Sequence, residues 1–213
     1  GGLPGTEPKA ESTLRIGEVQ EPDSLNPFVG VLGASYTVWA HVYELPIAIG
    51  IDLTPVPSLV QSWEVSSDNL VWTWHLVENA TWHDGQPFTA EDMNFTLRYM
   101  WAETPLNPIG CDLTLLQGYL GDPDAKIGID VDNVTVLDDY TIRIPTWQPK
   151  ANILSMFIFV IPKHIWSNIS CQLARQGYKN IPPIGTGMYK LNTWVRGSYS
   201  QFDLYDKYWR LSP

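Results

Sequence analysis

Charge of one sign, cysteine, histidine and long apolar runs are all scarce in this sequence. Lysine and arginine number 13 against 23 aspartate and glutamate, giving a formal net charge of -10. Phosphate backbones would repel such a chain, which argues against a nucleic-acid partner and against docking on an anionic membrane surface. No cluster of basic residues reverses the balance locally. The longest apolar run, around Ile158–Ile161, is the size of a strand, far short of the length needed to span a bilayer. Only four histidines occur, His41, His75, His83 and His164, and none has the spacing of a metal-ligand set. Two cysteines, Cys111 and Cys171, fit no zinc or redox motif. In an oxidising compartment they could pair, and the sequence leaves that open.

Aromatic residues are plentiful. Ten tryptophans and ten tyrosines suit stacking surfaces for sugars or peptides, or a tryptophan-rich core, and core packing is the reading adopted. Four Asn-x-Ser/Thr sequons, at Asn79, Asn94, Asn133 and Asn168, exceed the roughly one expected by chance and point to an exported protein.

Periodicity places the elements. Residues 1–13, rich in Gly and Pro, read as a linker. Leu14–Val19 reads as a short strand and Glu21–Pro27 as a turn. Ser35 is predicted to cap a helix running to about Leu45, with Trp39, Val42 and Tyr43 on one face and Pro46 ending it. Val71–Leu76 alternates as a strand with Trp72, Trp74 and Leu76 on one face. His83–Gln86 is a turn. Thr89 then opens the helix with the clearest local signal, since Asp92 stands at the capping-box position and Phe88 and Met93 at those of a hydrophobic staple. Met93, Leu97, Met100 and Trp101 continue it as an apolar stripe. Residues 104–126 read as loop with short helical pieces. Asn133–Val136 and Tyr140–Ile144 read as a hairpin around Asp138–Asp139. Ile153–Ile161 reads as a buried segment, and a short helix is predicted from Pro162 with proline at its first position. Gly185–Gly187 reads as a tight backbone element before two strands, Met188–Leu191 and Gln201–Tyr205.

Catalytic readings find little support. His83-Asp84 lies on a turn and lacks the partners of a triad or a metal pair. Asp122, Asp124, Asp130 and Asp132 begin a calcium-loop pattern that then fails. Gly185-Thr186-Gly187 has no lysine in the position a phosphate loop requires. No cofactor and no metal site is expected.

The order of these segments is more specific than any one of them. The stretch Trp82-His83-Asp84-Gly85-Gln86-Pro87-Phe88-Thr89-Ala90-Glu91-Asp92 resembles the signature of the family 5 extracellular solute-binding proteins, the dipeptide and oligopeptide receptors of ABC importers. Leu14–Gly17, Pro22–Pro27, Val42–Leu45, Pro57–Ser66, Leu137–Arg143, Pro183–Leu191, Trp194 and Tyr208-Trp209 resemble further segments in the family's order. Met188 departs from the family, which has Pro or Ala there. The resemblance implies a mixed α/β lobe of the type II periplasmic-binding-protein-like fold, the first lobe, with the second lobe absent. Residues 14–45 plus 163–213 would form a discontinuous core subdomain, and residues 46–162 an inserted β-rich subdomain. It also implies an extracytoplasmic, non-enzymatic receptor, in the periplasm or on the outer face of the membrane, whose partners are a peptide or similar oligomeric solute and the permease subunits of an ABC transporter. Oligosaccharide or metal-chelate cargo, and a sensory or interaction role without transport, are the alternatives. On this resemblance the ligand face would include Val31, Leu32, Gly33 and Ala34, then Ser155, Met156 and Phe157, with Trp101 as a weaker candidate.

Overall fold

A computed structural model describes residues 13–101, 103–113 and 128–211. The central layer is an antiparallel four-stranded sheet. Its strands are β3 (Val60–Val65), β4 (Val71–Leu76), β5 (Thr135–Asp138) and β6 (Thr141–Pro145), in the order β3-β4-β6-β5. Trp72, Trp74 and Leu76 alternate inward along β4, as the two-residue period requires. Trp72 stands opposite Ile144 and Trp74 opposite Ile142 on β6, so one face of the sheet is a continuous apolar surface. Two-stranded sheets lie beside it: β1 (Ile47–Ile49) with β2 (Pro55–Pro57), and β7 (Tyr189–Val195) with β8 (Tyr199–Leu204).

Helix α2 (Ala90–Met100) covers the apolar face of the four-stranded sheet. Its start is the predicted capping box: the Thr89 N–H donates to Asp92 Oδ2 at 3.0 Å. Phe88 and Met93 are both fully buried, as a staple demands. Asp92 also accepts from the Lys163 backbone N–H at 2.9 Å and from Trp82 Nε1 at 3.3 Å, so one buried carboxylate fixes the cap, a tryptophan and the start of α3 (Lys163–Trp166). Trp39, Trp74, Trp82 and Trp166 are completely enclosed, which answers the aromatic content with core packing.

Four sequence expectations are corrected. Leu14–Val19 is not a strand; the residues from 13 to 18 run without regular structure, with Leu14 and Ile16 exposed. A strand needs a hydrogen-bonding neighbour, and no described strand lies alongside. Helix α1 spans Gly33–Val42, beginning two residues before Ser35, whose hydroxyl is engaged with Asp23 rather than with the helix start. The helix stops at Val42 instead of Leu45, because Tyr43 turns to extended backbone and the Val42 carbonyl accepts from Gly187 N–H at 2.9 Å. Pro162 precedes α3 as its N-cap rather than occupying its first position.

Most of the remaining elements agree within a few residues, with Asn133 in a 3-10 turn rather than in the hairpin, and the linker expected over residues 1–13 lies outside the described residues apart from Thr13. Residues 135–145 form the hairpin, and most of Ile153–Ile161 is buried around a 3-10 turn at Ala151–Ser155. Cys111 and Cys171 are joined by a disulfide across 60 residues, tying the chain after α2 to α4 (Cys171–Gln176). Of the 104–126 loop, residues 104–113 are turns and short bridges, apart from which the prediction lies outside the described residues, as do Asp122 and Asp124.

Candidate ligand-binding face

The described side chains divide between a large core and a smaller aromatic cluster built on α1. The smaller one contains Leu25, Val38, Trp39, Val42, Tyr43, Phe159 and Leu191, with Tyr36 and Phe157 half-buried against it. Ring contacts run from Tyr36 to Trp39 (4.8 Å between centroids), from Trp39 to Phe159 (5.9 Å) and from Phe159 to Phe157 (5.3 Å). Tyr36 closes the circuit on Phe157 at 6.3 Å. Aromatic pairs at these separations add to burial through edge-to-face attraction. The cluster therefore joins the first turn of α1 to the extended chain at Phe157, segments more than a hundred residues apart.

The loop leading into α1 lies directly over this cluster. A side chain at Gly30 would place its Cβ 2.6 Å from the Trp39 ring, so the backbone can rest there only as glycine. Beyond it Val31 stands 62% exposed, Leu32 half-buried and Gly33 exposed. Gly30, just before these residues, lies against Trp39, and Phe157 packs on Tyr36. Ala34 is buried, and Met156 turns its side chain into the larger core. Ser155 is exposed and its hydroxyl donates to the Asn152 carbonyl. Trp101 is at the far end of α2, packed against the larger core, with its carbonyl accepting from Asp112 N–H at 2.7 Å. It is not brought to the patch by any described contact. Tyr36 is the residue that sequence reasoning passed over. Its three-residue spacing to Trp39 on a helix was the available signal.

Elements of the sequence signature meet in a seam behind the patch. His83 Nε2 donates to the Gly187 carbonyl at 2.8 Å, and the His83 N–H donates to the Gly185 carbonyl at 2.9 Å. Burial pushes the His83 imidazole down to about 4, against the pull of its bond to Gly187. A Cβ at Gly185 would come 1.9 Å from the Val42 carbonyl oxygen, and one at Gly187 would come 2.6 Å from that of His41. Only glycine lets this segment lie on the end of α1. Glu44, just beyond α1, accepts from the Tyr208 hydroxyl at 2.8 Å and from Trp209 Nε1 at 2.7 Å. Burial raises its pKa, with those two bonds and Arg210 acting in the other direction. His83, Gly185, Gly187, Glu44, Tyr208 and Trp209 are thus spent on joining segments.

The other histidines also have structural partners. His41 Nδ1 lies 2.6 Å from the Thr37 carbonyl, His75 faces Glu64 and His164 faces Asp84. Among the described residues no group of three His, Cys, Asp or Glu side chains could hold a metal ion. Of the sequons, Asn79, Asn133 and Asn168 are exposed, whereas Asn94 lies half-buried inside α2.

Comparison with known proteins agrees with this architecture. The family model described as "Bacterial extracellular solute-binding proteins, family 5 Middle" matches residues 54–213. The dipeptide-binding protein DppE of Bacillus subtilis is 26% identical over 207 residues, which cover 93% of this chain and 37% of that protein. Among solved structures, the oligopeptide-binding protein AppA of Bacillus subtilis, in complex with a nonapeptide, superposes with a TM-score of 0.73 at 21% identity over 91% of this chain and 36% of its own. NikZ of Campylobacter jejuni, in complex with Ni(L-His), gives 0.66 at 24% identity over 89% and 35%. The chain thus spans little more than a third of the length of these relatives, and its mixed α/β fold corresponds to a single-lobe portion of the periplasmic-binding-protein-like architecture. It belongs to the family 5 bacterial extracellular solute-binding proteins, a family of extracytoplasmic receptors rather than enzymes.

Proposed function

We propose that this chain is the first lobe of a receptor that captures peptides or similar oligomeric solutes between two lobes and delivers them to the permease of an ABC importer. The observation that carries the reading is the Val31–Gly33 stretch, with Val31 and Gly33 exposed, beside the half-buried Tyr36–Phe157 ring pair. A mostly apolar stretch of this kind suits the lining of a ligand site, where a few polar groups fix orientation. The naming of DppE as a dipeptide-binding protein, and of AppA as an oligopeptide-binding protein, favours peptide among the cargo classes. The disulfide suits an oxidising compartment outside the cytoplasm.

In this reading residues 14–45 and 163–213 form the core subdomain and 46–162 an insertion, with hinge closure burying the cargo. His83 bonds to Gly185 and Gly187 across the boundary between the two parts. The test is a thermal-shift screen of the full-length receptor against peptide, oligosaccharide and metal-chelate libraries. A ligand of the native state must raise the melting temperature by mass action. Peptide hits support the proposal. Hits confined to oligosaccharides or chelates replace the cargo, and no hit in any class favours an interaction role without transport.

A further inference from the structure

The turn before the candidate face has a second role that its turn chemistry does not explain. Asp23 Oδ2 accepts from the Val31 N–H at 2.9 Å, and Asp23 Oδ1 accepts from the Leu32 N–H at 3.3 Å. The Ser35 hydroxyl donates to Asp23 Oδ1 at 2.6 Å. The same hydroxyl oxygen accepts in return from the backbone N–H groups of Asp23 and Ser24, at 3.1 and 3.3 Å. Ser35 is fully buried, so this reciprocal pair closes the turn onto the first turn of α1. Leu32, at the N-cap of α1, has no side-chain acceptor of its own. The Asp23 carboxylate, nine residues upstream, accepts instead from the N-cap amide itself and from the one before it. Gly30 lies against the Trp39 ring, and Asp23 grips the next two amides.

We propose that Asp23 is the positioning residue of the candidate ligand face, holding the Val31–Leu32 backbone in its binding shape before cargo arrives. The inference rests on the reading of this face given above. A loop fixed in advance loses less conformational freedom when it binds, which improves affinity without any new contact. The bonds are charge-assisted and therefore among the stronger ones available to an exposed loop. Partial burial opposes the charge on Asp23, but the bonds from Ser35, Val31 and Leu32 together hold its carboxyl below the usual range. Asp23 is thus ionised at neutral pH.

Two measurements on the full-length receptor test this, with Asp23→Ala and the milder, isosteric Asp23→Asn. The first is amide hydrogen exchange at Val31 and Leu32, with the amides of α2 as internal reference. The second is calorimetric affinity for a pool of tripeptides of the form Ala-Xaa-Ala. In Asp23→Asn the two amides should exchange roughly tenfold faster, and more so in Asp23→Ala, while α2 is unchanged; affinity for the pool should fall by roughly the same factor. Unchanged exchange at Val31 and Leu32 in both variants would overturn the holding role. Faster exchange with undiminished affinity would overturn the link to cargo. If the unsubstituted receptor binds none of the pool, the peptide reading itself fails, and the exchange result separately decides whether Asp23 holds the segment.

Discussion

The two long helices of this lobe begin in opposite ways. Helix α2 has its instructions in consecutive residues: a Thr89 N-cap, Asp92 at the third position and a Phe88–Met93 staple, all within one turn. Helix α1 begins at a leucine N-cap without a side-chain acceptor, and its start is organised by Asp23 and Ser35 through bonds that leave the helix. Its far end is fixed by a segment nearly 150 residues away, just before β7, where Gly187 donates to Val42 and Gly185 lies against it. The difference matches position. Helix α2 is roofed by a sheet and closed by a disulfide, so it can be specified locally and buried. Helix α1 leads directly into the candidate ligand face, and a remote clamp sets the shape of that face independently of the helix's own propensity.

Removing the disulfide should have the largest effect, and on the α2 side. Cys111→Ser with Cys171→Ser frees a loop of 60 residues, for which chain entropy predicts a loss of about 4 kcal/mol, read as a lowered urea midpoint. A loss confined to the α1 side by site-resolved exchange would break the division drawn above.

On the α1 side the corresponding blow is Gly185→Ala. Its Cβ would meet backbone, the Val42 carbonyl, rather than a side chain able to move. A cost of about 3 kcal/mol is expected in a denaturant melt, and a change near zero would mean that the seam is loose.

Acid should open the same seam. His83 is buried as a neutral ring that donates from Nε2, and its folded pKa, about 4, lies below the ordinary value of 6.5. Its contribution to stability is thus complete above 6.5 and is lost as pH falls toward 4, because the unfolded chain takes up the proton first. Glu44 acts in the opposite direction. Burial raises its folded pKa above 4.5, so its contribution is greatest below that value and declines as pH rises through the folded pKa. Urea midpoints of the unsubstituted chain and of His83→Gln between pH 4 and 7 separate the two. The unsubstituted chain should lose more stability on acidification than the variant, and parallel curves would rule out His83 as the source.

The smallest pair of effects compares the two helix starts directly. Ser35→Ala removes a buried hydroxyl bonded to Asp23 and leaves the Asp23 and Ser24 amides without their acceptor. About 2 kcal/mol is expected. Thr89→Ala removes one half of a local cap whose other half, the Asp92 carboxylate, remains, and about 1 kcal/mol is expected. If the order of the two melts were reversed, α1 would owe its start to its own residues after all.

Much of the scaffold was legible in the sequence because its cues are local. The alternation of Trp72, Trp74 and Leu76, the acidic hairpin turn and the cap of α2 each follow from neighbours within a few residues. The strand predicted at Leu14–Val19 failed for the converse reason: alternation proposes a strand, but only an adjacent strand can satisfy its backbone. The candidate face was legible only in part. Val31–Gly33 and Phe157 were reached through the family resemblance and stand as a proposed face; the structure adds that Gly30 lies on Trp39 and Phe157 on Tyr36. Tyr36 and Asp23 were not reached, since their roles depend on rings and amides that only folding brings together.

By itself, then, the sequence determined the central strand β4, the acidic hairpin and helix α2, that tryptophan would fill the core, and which family the chain belongs to. Those properties depend on period, capping residues and motif order, all written along the chain. The tertiary structure alone decided that Cys111 would meet Cys171, that Gly185 and Gly187 would lie on the end of α1, and that a turn carboxylate would hold the Val31–Leu32 backbone. Each of these joins groups distant in sequence or outside one regular element, where the distance between atoms, rather than the spacing of residues, sets the interaction.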